Sequence, residues 1–286
     1  MKKVAVFNTV ISIDMPDLYF NENMEKYFCD NSRDEDVTIA ISRGKMIEAP
    51  NDAAKEMYLH GHMISSFNRH VFCIRSEYDK VTYFKYNNEY TRFVININDQ
   101  IDLGDTAVVE ALKVEISSVL RRVFIMLAAL RHGVCIHSSS IRLDDEAIVF
   151  SAVSGMGKST HADLWRTRFG SAEIINGDNI YLVVENGIPY VFGSPWCGTS
   201  NKCVNTKAPL KAIVFLEQAK ENTIEKLCVA ESFMRLSARC FMPHWDNKLM
   251  LEAINTAETL TGIVDCYLLR CLPDLDSVRV CYNGIY

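Results

Sequence analysis

Ser151-Ala-Val-Ser-Gly-Met-Gly-Lys-Ser-Thr160 brings together the residues of this chain best suited to grip a phosphate. Gly155 and Gly157 let the backbone curl until several N–H groups point at one anion, and the positive end of a following helix adds to the pull. Ser154, Gly155, Met156, Gly157, Lys158, Ser159 and Thr160 would form that cradle. In such a loop the lysine, Lys158, reaches the outer phosphates and the hydroxyl, Ser159, ligates magnesium. The implied ligand is a nucleoside triphosphate, ATP with Mg2+. The general pattern G-x-x-x-x-G-K-[ST] is broken at its first glycine, where this chain has Ala152. The core Ser154–Ser159 therefore carries the reading.

Other residues offer chemistry more ambiguously. Asp178, in Ile174-Ile-Asn-Gly-Asp-Asn179, follows an apolar strand and reads equally as a magnesium ligand, an acceptor of a hydroxyl proton, or a turn residue. His137 ends an apolar run before Ser138-Ser-Ser140; alone, it reads as a hydrogen-bonded core histidine before it reads as a catalyst. The serines read as strand-end packing, since no motif marks an activated nucleophile. Gly193-Ser-Pro-Trp-Cys-Gly-Thr-Ser200 has the make-up of a loop that walls a pocket, or of a packed turn, and contains Cys197. Lys202, Arg235 and Arg239 are cations able to neutralise a transferring phosphate. His60 and His62 lack acidic or cysteine partners nearby and read as surface or structural residues.

The elements that must position these groups follow from hydrophobic spacing. Ala147–Phe150 reads as a buried strand leading into the loop, and His161–Phe169 as the helix after it, stopping at Gly170. The first hundred residues are β-rich, with strands at 2–7, 37–41, 70–75, 81–86 and 90–97, a turn at Asn87-Asn88, and surface connections at 31–36 and 48–52. Asp105-Thr106 starts a helix that runs to about Arg131, with Gly133 as its C-terminal cap. Beyond it, strands fall at 134–141, 173–175, 180–184, 190–192, 210–216 and 266–269, with a helix from Asn247 to Thr261. A boundary near residue 104 separates a β-rich domain, 1–104, from a catalytic domain, 105–286.

A chain of 286 residues with net charge −6 excludes a sequence-wide attraction to nucleic acid or anionic membrane. Met1–Phe7 lacks the apolar core of a signal peptide, and the longest apolar run, Val123–Leu130, is eight residues. A cytoplasmic protein with neither nucleic-acid nor membrane partner is expected; the oligomeric state stays open. The ten cysteines contain no C-x-x-C pair, which points to reduced core thiols rather than a metal knuckle.

As a set, His137, Ser154-Gly-Met-Gly-Lys-Ser159, Asn176-Gly-Asp178 and Gly193-Ser-Pro-Trp196 resemble the HPr kinase/phosphorylase superfamily. The nearer likeness is to its HPr-kinase-like branch, some members of which phosphorylate peptide precursors in natural-product pathways. It covers roughly residues 130 to 275, including Leu210–Gln218 and Tyr267–Pro273. The resemblance implies an α/β fold: a P-loop-containing, mixed-sheet kinase core of the phosphoenolpyruvate carboxykinase/HPr kinase type, here preceded by the β-rich domain. It also implies phosphoryl transfer to a serine hydroxyl, with an aspartate as base and a histidine near the phosphates, carried here onto Asp178 and His137. The family pairs two aspartates where this chain has Gly177-Asp178-Asn179, so Asp178 serves as base, as metal ligand with Ser159, or as both through a water. The longer signature of true HPr kinases is missing.

The expectation is an ATP- and Mg2+-dependent kinase acting on a hydroxyl of a peptide, protein or small molecule, with Asp178, His137 and Lys158 at the reacting centre and residues 1–104 recruiting the acceptor. The rivals are a nucleotide-binding module without catalysis, suggested by Gly177, and the reverse chemistry, phosphatase or phosphorolysis.

Overall fold

The computed structural model describes residues 1–47, 55–59, 62–75 and 78–286. The connection expected at 48–52 and His60 with Gly61 lie outside the described residues, and only the backbone of His62 is described. The chain folds as two compact units, Met1–Leu127 with Pro243–Asn247, and Ala128–Met242 with Lys248–Tyr286.

The first unit contains β1 (Lys2–Val6), β2 (Thr9–Asp14), α1 (Glu22–Glu25), β3 (Val37–Gly44), β4 (Lys55–Leu59), β5 (His62–Phe67), β6 (His70–Arg75), β7 (Tyr78–Tyr86) and β8 (Arg92–Asn98). These eight strands make one sheet in the order β1-β2-β3-β8-β7-β6-β5-β4. Phe7 and Asn8, both at positive φ, close the β1–β2 hairpin. The turn after β7 is held by one side chain: Asn87 Oδ1 accepts from the amides of Thr91 and Arg92.

Helix α2 (Thr106–Ala129) is capped by Asp105, whose carboxylate accepts from Ala107 N at 2.8 Å. Leu112, Ile116, Val119, Leu120, Val123 and Leu127 are buried at helical spacing. Phe124 meets Phe7 edge-on at 6.2 Å, and Thr82 donates to Glu115. Most of this helix thus packs within the first unit, and the division falls after Leu127 rather than at 104. The expected glycine cap is also corrected. His132 takes the left-handed conformation (φ 53°), while Gly133 already belongs to the next strand. A Cβ at Gly133 would lie 2.9 Å from both Ala128 O and Val183 Cγ2, so the glycine serves close packing.

The second unit runs β9 (Gly133–Leu143), β10 (Glu146–Ser151), α3 (Lys158–Arg168), β11 (Glu173–Asn176), β12 (Asn179–Glu185), β13 (Ile188–Phe192), β14 (Lys207–Gln218), β15 (Thr223–Lys226), α4 (Val229–Ser237), β16 (Cys240–Phe241), α5 (Asn247–Ile263), β17 (Asp265–Cys271) and α6 (Leu275–Ile285). The sheet is mixed. Strands β10, β9, β12, β13 and β14 pair in sequence, and β14 pairs back onto β10, closing a ring; β17 and then β15 extend it from β14. Three strands, β10, β14 and β17, run parallel, so their C-terminal ends open on one edge. Ligands of open α/β sheets gather at such ends. Phe150 and Trp165, with Ile141, Val214, Leu269 and Val278, form the core between the sheet and helices α3 and α6.

Among the described residues no helix is long and apolar enough to cross a membrane. The cysteines described are free; five are buried, but Cys228 is exposed, so not all of them are core thiols.

Candidate active site

Strand β10 ends at Ser151 and α3 begins at Lys158, with the glycine-bearing turn between. Gly155 (φ 81°) and Gly157 (φ 96°) occupy the left-handed region, and nothing lies within 4 Å of a Cβ at either, so backbone conformation and not space calls for glycine. Ala152 is absent from the positive-φ residues, which explains why an alanine is tolerated at the broken position of the pattern. The first intrahelical bond is His161 N to Gly157 O, leaving the amides of Lys158, Ser159 and Thr160 ahead of it. Lys158 folds back, donating to Ala152 O (3.2 Å) and Val153 O (3.5 Å). Burial holds its pKa below the ordinary lysine value; Arg239 adds to the depression and Asp178 opposes it. An arriving phosphate would favour the charged form.

His137 and Asp178 face this turn across one cleft of about 350 Å3, lined also by Ser154, Ser159, Gly177 and Ser200. His137 Nε2 lies 3.0 Å from Asp178 Oδ1, and Asn179 Nδ2 donates to the other carboxylate oxygen at 2.5 Å. The turn that presents Asp178 is built by Asn176, whose buried side chain accepts from the amides of Asp178 and Asn179 and donates to Ser194 O. Sequence reasoning singled out Asn176 beside Asp178 but assigned it no role; the signal for one was the Asn-Gly-Asp-Asn run, in which an Asn side chain commonly caps its own turn.

The Gly193–Ser200 loop lies where a pocket wall was expected, with Cys197, Gly198, Thr199 and Ser200 lining the cleft. Ser139 donates to Gly177 O and stands 3.5 Å from Ser159 Oγ, while Ser138, Ser139 and Ser140 are all buried in β9, consistent with packing. Two of the three expected cations are engaged elsewhere. Lys202 holds Asp163 at 2.7 Å and 2.9 Å, and Arg235 pairs with Glu217 and Glu231, each at 2.9 Å. Arg239 has no ion pair among the described residues.

A magnesium ion typically takes one or two protein carboxylates and completes its shell with substrate phosphates and water. No group of three or more His, Cys, Asp or Glu side chains that could hold a metal occurs among the described residues. Ser159 and Asp178, both lining the cleft, fit the sparser arrangement that a nucleotide-bound ion needs.

No family model and no curated protein matches the chain. Among solved structures it is similar to the HPr(Ser) kinase/phosphatase from Coxiella burnetii, with 11% identity and a TM-score of 0.34, over 52% of this chain and 95% of that one.

Proposed function

We propose that this protein is an ATP- and Mg2+-dependent kinase that transfers the γ-phosphoryl group to a hydroxyl of a peptide, protein or small molecule. The observation that carries the reading is the single cleft in which Lys158 and Ser159 face the His137–Asp178 pair. Phosphoryl transfer asks for little covalent chemistry from a protein; positioning and charge neutralisation do most of the work. Lys158 and the amides at the start of α3 hold the β- and γ-phosphates. Asp178, oriented by His137 and Asn179, accepts the acceptor's hydroxyl proton as its oxygen bonds to the γ-phosphorus and the bond to the ADP oxygen breaks. Magnesium, held at Ser159 and Asp178, would neutralise charge on the phosphates.

Calorimetry with Mg-ATP on the wild type and on Lys158→Ala tests the foundation. Binding lost in the variant supports the reading, and no binding by the wild type overturns it. Incubation with γ-labelled ATP and a serine-peptide library then separates the alternatives. A kinase yields ADP and labelled peptide. Binding with neither product marks a nucleotide-binding module, and release of phosphate from phosphopeptides marks the reverse chemistry.

A further inference from the structure

The cleft that holds Lys158 and the His137–Asp178 pair is lined by five residues with a hydroxyl: Ser154, Ser159, Thr160, Thr199 and Ser200. The first three stand on the phosphate loop and the first turn of α3. The other two stand on the Gly193–Ser200 loop, against the turn that presents Asp178. A Cβ at Gly198 would lie 3.0 Å from Asp178 Cγ and 3.1 Å from its Oδ2, and one at Gly177 would overlap Ser200 Oγ. Thr199 is the residue between these two contacts, so its neighbours on both sides hold it beside the Asp178 turn.

The two hydroxyls of this loop differ in what they are bonded to. Ser200 Oγ donates to Cys197 O at 2.6 Å and accepts from Lys202 N at 3.2 Å, which fixes it in the loop. Thr199 is exposed, and its hydroxyl has no hydrogen-bond partner among the described residues. It is the middle residue of the short 3-10 turn Gly198–Ser200, where Gly198 (φ 60°) and the following Asn201 (φ 51°) both take the left-handed conformation.

In phosphoryl transfer the attacking and leaving oxygens lie roughly in line through phosphorus, so the attacking hydroxyl approaches from the side away from the ADP oxygen. With the phosphates on the loop and α3, that side is the wall that carries Asp178. A hydroxyl already on that wall has the approach an acceptor needs, with the advantage of an intramolecular group. We propose that Thr199 is a site of self-phosphorylation, taking the γ-phosphoryl group of the nucleoside triphosphate bound in its own cleft; the inference rests on the kinase reading of that cleft. The Thr199 oxygen bonds to the γ-phosphorus as the bond to the ADP oxygen breaks. ADP leaves with that electron pair, and the hydroxyl proton passes to Asp178.

The test is incubation of the full chain alone with Mg2+ and γ-labelled ATP, followed by mass spectrometry of its proteolytic fragments. The expected result is label on Thr199, gained at a rate per chain that does not change with protein concentration. Thr199→Val keeps the shape of the side chain and loses the label, whereas Thr199→Ser, which restores a hydroxyl, keeps it. A melting temperature equal to that of the wild type shows that Thr199→Val is folded. Asp178→Asn, which removes the base, slows the labelling by about 10²–10⁴-fold. Label on another residue in place of Thr199, or a rate per chain that rises with protein concentration, overturns the inference. So does a chain that binds Mg-ATP and labels library peptides but leaves its own Thr199 unmodified, a result under which the kinase reading stands. If the chain binds no Mg-ATP, the kinase reading fails and this inference fails with it.

Discussion

His137 Nε2 meets Asp178 Oδ1 at 3.0 Å because the register of two strands brings them side by side. In the β9–β12 ladder His137 lies opposite Asn179, one residue past Asp178, and Ser138 N donates to Asp178 O at 2.8 Å. Three further bonds fix the histidine's backbone and the carboxylate. His137 N donates to Arg239 O, Ser151 Oγ donates to His137 O, and Asn179 holds the second carboxylate oxygen. The pair is thus aimed before any ligand arrives, and such preorganisation is worth most where charge moves during reaction.

Asp178→Asn keeps the shape of the side chain and removes its basicity. Transfer is expected to fall by about 10²–10⁴-fold in kcat. His137→Ala frees the carboxylate to rotate and costs less, about tenfold, with partial recovery in His137→Gln, which keeps a donor. Steady-state kinetics on the three variants, each titrated with magnesium, checks this. Full activity in Asp178→Asn would reduce Asp178 to a turn residue.

Gly177 stands where the resembling family has an acid, and the structure shows what keeps an acid out. A Cβ there would overlap Ser200 Oγ and come within 2.9 Å of Ser200 Cβ. Ser200 is anchored by its own bond to Cys197 O at 2.6 Å, so it does not yield freely. Gly177→Ala is expected to destabilise the second unit by about 1–3 kcal/mol through overpacking and to displace the wall of the cleft. Ser200→Gly in the same chain should restore much of the loss. Thermal melts of the single and double variants decide it: no recovery in the double variant would mean the clash is not the cause.

Arg239 is separated from its fellow cations by partner choice. Lys202 is committed to Asp163 and Arg235 to two glutamates, whereas Arg239 is close enough to Lys158 to depress its pKa. Arg239 and Lys158 repel one another while Asp178 opposes them, so an anion bound at Lys158 would relieve that repulsion. Arg239→Ala is expected to lower kcat/KM by about 10²-fold, within the range for losing one preorganised charge. Lys202→Ala should change it little, because its ion pair is half exposed. Equal losses in both variants would contradict the assignment.

Much of this site was legible in the sequence because its chemistry is local. The glycine turn, Lys158 and Ser159 sit in one ten-residue stretch whose conformation is set by glycine φ angles and a helix start. What was not legible was pairing. Nothing near His137 announces that β9 will lie beside β12, and nothing near Lys202 announces Asp163, 39 residues away. Helix α4 was missed because no side chain caps it at Cys228. Helix α6 did carry a signal, Asp274 accepting from Ser277 N, ahead of Val278 and Cys281 on one buried face. The compact units divide after Leu127 and not at 104, because the helix that starts at Thr106 packs through Phe124 and Glu115 on the strands before it.

His161 makes a prediction about acid stability. It is almost wholly buried, packed against Phe150 and hydrogen-bonded to Trp165 and Ser277, with no charged group in those contacts. Desolvation pushes its pKa down from 6.5 to about 4. Above pH 6.5 the ring is neutral in both folded and unfolded chains and adds no pH dependence. As pH falls below 6.5 the unfolded chain takes up a proton that the folded chain refuses until about pH 4. Stability therefore declines across that window, by up to about 3 kcal/mol from this group alone. His161→Gln, which keeps an acceptor for Trp165 but does not titrate, should flatten that part of the decline. Melting temperatures of both proteins between pH 7 and 4 give the difference directly, cancelling the carboxylates common to both. Parallel curves would mean that His161 protonates in place, which requires its ring to break the bond from Trp165, since a doubly protonated imidazole has no acceptor left.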